Sequence, residues 1–195
     1  NNPIISGLYY RLLFTITMCN DYLKQTTDER LNDRGVDDAL RANIQYYRSE
    51  TRFLRALMYY HAMDMFGNTP FITENDPIGT YLPPQRSRAE LYSFIESELL
   101  ELSDDPHMTE PRQNEYGRAD KAAVWMLLSR LYLNAEVYIQ TPKYDECMKY
   151  ARNVISAGYD LCPNYAELFM ADNGENTDAR KEMIFTINFD GRWTQ

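Results

Sequence analysis

Two histidines, three cysteines and 29 acidic side chains are the reactive groups available to this 195-residue chain. His61 lies in a helix-forming stretch and His107 in a proline-containing loop. Neither belongs to an HExxH zinc motif or accompanies a GxSxG nucleophile. His61 instead shares one polar row with Glu50 and Asp64, which suits a structural hydrogen-bonder. Cys19, Cys147 and Cys162 form no CxxC pair and have no histidine at zinc spacing; they read as small buried hydrophobes. With no glycine-rich phosphate loop and no GxGxxG, phosphoryl transfer and dinucleotide chemistry are not expected, and neither a cofactor nor a metal is assigned. Asp172-Asn173-Gly174-Glu175-Asn176 is polar but lacks EF-hand spacing. A glycosidase pair of carboxylates is recognised only by its separation in space. Asp37-Asp38 and Asp104-Asp105 are explained as a helix start and a helix end.

Binding chemistry fits better than catalysis. A sugar presents an apolar face edged by hydroxyls, so its site needs an exposed aromatic platform beside fixed polar groups. Most of the aromatics recur at helical core spacing, but Trp193 follows a turn, with Asp190 and Arg192 beside it. These three are the candidate ligand-binding residues; the alternative for Trp193 is packing on the helices. The net charge of −9, with no run of Lys/Arg longer than two, argues against nucleic acid and against a polybasic membrane patch. A hydrophobic fraction of 44% with 16 tyrosines and 8 phenylalanines is that of an ordered globule.

The elements that must position these residues are helical. Asn2 and Pro3 supply a cap and a first helical residue, and apolar residues from Ile5 to Leu23 recur at three- and four-residue spacing, predicting a helix over about 4–25. Thr26 to Gly35 reads as a surface loop. Asp37 and Asp38 then open a helix of about thirty residues, apolar almost all round between Phe53 and Phe66, stopped by Gly67 and Pro70. Asn68 to Gln85 carries five Pro and Gly residues and reads as a connector. Ser87-x-x-Glu90 is a capping box for a third helix. Asp104 to Gly117 loops back.

Trp125, Leu128, Ser129 and Tyr132, followed by Tyr144-Asp145 through Tyr150 and Ala151, match the tetratricopeptide pattern. The interval between the two halves is about six residues longer than that repeat, with Thr141-Pro142 expected to cap the second helix. Gly158 should close it. A regular solenoid is not indicated; the fold class expected is mainly α, stacked antiparallel helix pairs of degenerate tetratricopeptide type with long loops. Ala171 to Lys181 reads as a polar loop. Met183, Phe185, Ile187 and Phe189 then alternate as in a strand, with Asp190-Gly191 as a hairpin turn. A lone strand cannot satisfy its backbone, so residues 1–195 are read as one helical-repeat domain of a larger protein, with a strand and hairpin starting over 182–195.

Three blocks carry a family resemblance. Glu50-x-x-Phe53-Leu54-Arg55-Ala56 with Tyr59-Tyr60 and Phe66-Gly67-x-x-Pro70-Phe71 is the first. Gly117-Arg118-Ala119-Asp120-Lys121-Ala122-Ala123 running on to Leu133 is the second. Tyr159-x-Leu161, Tyr165-x-x-Leu168-Phe169 and Glu182-Met183-Ile184-Phe185 make the third. In this order they resemble the SusD/RagB family. That resemblance implies a surface-exposed outer-membrane lipoprotein, not an enzyme, that captures oligosaccharides or polysaccharides for a SusC-like TonB-dependent transporter. Its lipid anchor would lie outside this segment, and most sugar contacts would lie outside the helices. The competing reading is a helical-repeat scaffold for protein partners with no carbohydrate role; a glycosidase is the third.

Overall fold

The structure is a computed structural model and describes residues 2–77, 79 and 81–189. Asn2 caps α1 (Pro3–Gln25) by accepting from the Ile4 amide at 3.0 Å. A short α2 (Asp28–Asp33), capped by Thr27, interrupts the expected surface loop. Thr27 followed by Asp28-Glu29 is a helix-start signal that satisfies the first free amides, so the polar composition did not mean irregular backbone. The spine is α3 (Asp38–Phe66), capped by Asp37 and ended by Gly67 at φ 74°.

A two-residue ladder follows, with β1 (Thr69–Pro70) antiparallel to β2 (Gln85–Arg86). The Ser87/Glu90 box opens α4 (Arg88–Asp104). Then come α5 (Lys121–Leu133), α6 (Ala135–Ile139), α7 (Tyr144–Ser156), a 3₁₀ turn at Tyr165–Phe169 and α8 (Thr177–Glu182). Two local expectations change. The helix α7 starts at Tyr144, two residues after Pro142, so Thr141 does not cap it. The polar loop from Ala171 contains α8, whose Asn176 side chain accepts from the amides of Asp178 and Ala179.

The pattern over Met183–Phe189 does not become a strand. Alternation alone supplies no backbone partner. Phe185 turns inward instead, edge to face with Phe53 at 5.3 Å, while Ile187 and Phe189 stay exposed. The only ladder among the described residues is β1–β2. The Asp190-Gly191 turn lies outside the described residues.

Successive helices stack as antiparallel pairs: α1 on α3, α3 on α4, α4 on α5 and α5 on α7. One core runs through them, including Ile16, Phe53, Tyr59, Met63, Leu91, Ile95, Leu99, Leu128 and Tyr132. The small residue Ser129 lets α5 approach α7 closely enough for its hydroxyl to reach the Cys147 carbonyl at 3.3 Å.

At the centre of α3 stands a charge. Arg55 is 2% exposed. It donates to Asn20 of α1 at 2.8 Å, to Glu98 of α4 at 2.9 Å and to Glu74 of the connector, with its guanidinium over the Phe94 ring. Arg52 adds a second bond to Glu98 at 2.9 Å. The connector is held in place as well: the Tyr59 hydroxyl donates to the Ile72 carbonyl at 2.7 Å and accepts from the Ile72 amide at 3.0 Å.

Two members of the polar row of α3 pair with other elements, while His61, expected to be a hydrogen-bonder, makes no side-chain hydrogen bond among the described residues. Glu50 meets Arg118, Asp64 accepts from the Tyr138 hydroxyl at 2.6 Å, and His61 lies half-buried beside Tyr60. Burial, with the positive charge of Arg130 nearby, holds His61 below the ordinary imidazole range.

Removing one partner of a buried ion pair leaves the other charge desolvated, which costs about 3–5 kcal/mol. Arg55→Ala is therefore expected to lower unfolding free energy by about that amount in urea titrations; a loss below about 1 kcal/mol would contradict a central role. Burial opposes ionisation of Glu98, but the bonds and charges of Arg52 and Arg55 outweigh it, and its pKa is lowered from the usual 4.5. A depressed carboxylate pKa adds stability that is complete above the unfolded-state value and fades as pH falls through the folded-state value. Thermal scans should show a steeper loss of melting temperature below pH 4.5 in the parent protein than in Glu98→Gln.

Candidate functional site

The best-defined cleft, of about 360 Å³, opens between the α4–α5 connection and α8 with the segment after it. The α4–α5 connection is shaped by Asp120, which caps α5 by accepting from the amides of Ala122 and Ala123 and also accepts from the Arg112 amide at 2.7 Å. The Tyr159 hydroxyl approaches the same carboxylate at 3.3 Å. Burial raises the pKa of Asp120, against the lowering effect of these bonds. Burial and the neighbouring Asp120 raise that of Tyr159.

Glu50 of α3 anchors the other side of the connection. Arg118 donates to it through both Nε and Nη2, and Asn114 bridges Glu50 at 3.3 Å to the Ala119 carbonyl at 2.8 Å. The Arg118 guanidinium also lies 5.0 Å over the Tyr47 ring. Gly117 has φ 85°, a conformation that favours glycine, and the Asn188 side chain lies against it where a Cβ would stand.

The cleft presents an aromatic platform carrying a cation. Arg180 stacks on the Tyr116 ring at 4.7 Å, and the Tyr116 hydroxyl points to the Met183 sulfur at 3.3 Å. Arg112 lies over Tyr159 and donates to the Gly158 carbonyl. Lys181 is paired with Asp178 and Arg118 with Glu50, whereas the guanidinium groups of Arg112 and Arg180 meet no carboxylate among the described residues. A neighbouring recess shares Tyr116, Met183 and Thr186 and continues towards Asn188 and Phe189.

This arrangement suits recognition. Asp120 is engaged by backbone amides and Glu115 projects into solvent, so neither is set as an acid–base partner of the other. An aromatic face beside free guanidinium donors matches the apolar-plus-hydroxyl surface of a saccharide.

The candidates Asp190, Arg192 and Trp193 lie outside the described residues. The cleft itself went unread in the sequence. Its lining comes from stretches assigned to loops, to a strand over Met183–Phe189 and to the family blocks, with no sign that they meet; Tyr116 alone stands out as an aromatic off any helical period, one residue before a glycine.

No family model matches the chain. The starch-binding protein SusD of Bacteroides thetaiotaomicron is 45% identical over 184 residues, covering 94% of this chain and 31% of SusD. A SusD-like protein of Bacteroides ovatus is 24% identical over 90% of the chain and 32% of its own length. Among solved structures, surface glycan-binding protein A from Bacteroides uniformis superposes with a TM-score of 0.73 at 26% identity, over 94% of this chain and 38% of that one. A SusD-like protein from Bacteroides fragilis gives 0.71 at 21% identity, over 95% and 34%, a likeness of fold. The chain thus spans about a third of the length of the curated relatives it matches. With the three sequence blocks on its stack of helix pairs, the chain is similar to SusD-like proteins along nearly its whole length.

Proposed function

We propose that the protein containing this chain captures oligosaccharides at the outer surface of the outer membrane and hands them to a SusC-like TonB-dependent transporter. It would be held there by a lipid anchor outside this segment. The observation that carries the reading is the 45% identity to a starch-binding protein along 94% of the chain. The recess around Tyr116 and Arg180 supports it chemically. Ligand contact is assigned to Trp193, Arg192 and Asp190, which follow directly on the segment lining that recess. The reading is one of binding without hydrolysis, because catalysis would require two carboxylates facing one glycosidic bond.

One feature favours a protein-binding role for the helices. Tyr10, Phe14 and Met18 recur every four residues along α1 and are 70%, 66% and 54% exposed. Such a row is a usual seat for a protein partner. Within the proposal that partner is the transporter; in the scaffold reading it is another protein.

Purified full-length protein mixed with polysaccharides should retain them without releasing reducing sugar. Product release would overturn the binding-only reading. Trp193→Ala should weaken glycan affinity at least tenfold by calorimetry, and an unchanged affinity would return that residue to a packing role. Phe14→Glu should reduce co-purification of the transporter from detergent-solubilised membranes several-fold while glycan affinity stays the same. Equal recovery would remove α1 from the interface.

A further inference from the structure

A second groove lies away from the Tyr116 cleft, where the end of α3, the start of α4 and the end of α6 meet. Its walls are Phe66, Gly67, Asn68, Arg88, Val137 and Gln140. The Arg88 guanidinium rests 5.9 Å over the Tyr138 ring. No described residue accepts from its Nη1 or Nη2, and its Nε is buried without a partner. The Nε of Arg55 is buried without a partner too, but the guanidinium of Arg55 has acceptors on both Nη1 and Nη2, whereas that of Arg88 has none among the described residues. Gly67 makes the placement possible: a Cβ there would come within 3.4 Å of Nη2, at a φ that side chains rarely adopt.

Two amides converge beside this cation. Asn68 Oδ1 accepts from the Arg88 amide at 3.2 Å, which leaves Nδ2 without an acceptor among the described residues. Gln140, held in the left-handed conformation at φ 56°, makes no side-chain hydrogen bond to a described residue. The nearest acidic group on α3, Asp64, is occupied by the Tyr138 hydroxyl at 2.6 Å. The groove therefore offers a forked cation and two amides with unfilled capacity, next to the apolar surfaces of Phe66 and Val137.

A guanidinium fork pairs most strongly with a planar carboxylate, through two parallel bonds. Side-chain amides suit hydroxyls, and apolar walls suit the carbon face of a sugar ring. We infer that the groove between Gly67, Arg88 and Gln140 is a subsite for an acidic saccharide, taking the carboxylate of a uronic acid on Arg88. This does not rest on the capture of oligosaccharides near Trp193, since the residues are different and the subsite can be tested alone.

The test titrates the protein with sodium glucuronate, with glucose and with sodium sulfate, followed by backbone amide NMR. Glucuronate is expected to shift Gly67, Asn68 and Gln140 saturably, and glucose to leave them unmoved. Arg88→Met should weaken glucuronate binding at least tenfold with an unchanged melting temperature, and Gln140→Ala at least threefold. If Arg88→Met fails to fold, Gln140→Ala decides, and no loss in it overturns the assignment. Equal shifts with glucose, or undiminished binding in Arg88→Met, would also overturn it. Sulfate binding as tight as glucuronate would reduce the groove to a simple anion site and so refute the saccharide assignment.

Discussion

The stack depends on how one buried cation is satisfied. Arg55 sits in the middle of α3, where burial strips its guanidinium of water, and a desolvated charge is tolerated only when opposite charges and hydrogen bonds replace that water. The replacements come from three other parts of the chain: Asn20 from α1, Glu98 from α4 and Glu74 from the connector. Asn20 in turn donates to the Ile72 carbonyl, which the Tyr59 hydroxyl also reaches. Helices that pack through apolar side chains could slide along one another; a buried guanidinium fork with fixed acceptors admits one register. Phe71 and Ile72 of the connector thereby pack against the edge of the core.

Polar recesses surround this apolar stack. The chain is acidic as a whole, with net charge −9, yet the guanidinium groups of Arg112 and Arg180 in the cleft and of Arg88 in the groove face no ion-pair partner among the described residues. In each case the cation lies against an aromatic ring, Tyr159, Tyr116 or Tyr138. An aromatic face stabilises a guanidinium without consuming its N–H donors. Apart from the bond of Arg112 to the Gly158 carbonyl, those donors remain available to a ligand, while the negative net charge disfavours indiscriminate anion binding.

The departure from the tetratricopeptide pattern has a structural product. The extra residues between Tyr132 and Tyr144 fold into α6, which packs on α4 and brings Tyr138 and Gln140 opposite the end of α3. Without that insertion α5 would turn directly into α7, and the groove at Arg88 would lack one wall. The pair itself keeps the close approach that the repeat requires, through Ser129 and Cys147.

Local chemistry was enough to place most helices. Asn2-Pro3, Asp37, Ser87 with Glu90, and Gly67 act on backbone groups within four residues of themselves, so their effect is written in neighbouring sequence. The family blocks were legible for the same reason, as fixed spacings along the chain. Long-range pairing was not. Spacing along a helix tells which side chains share a face but says nothing about which carboxylate, 43 residues away, will meet Arg55. It grouped Glu50, His61 and Asp64 in one polar row, whereas Glu50 is held by Arg118 and Asp64 by Tyr138, each from a separate element. Met183 to Phe189 shows the same boundary: alternation is local, but a strand needs a second backbone, and the core offered Phe53 to Phe185 instead. The cleft and the groove exist only where separate segments converge, so three-dimensional packing alone decided which tyrosine carries an arginine and which arginine is left free to bind.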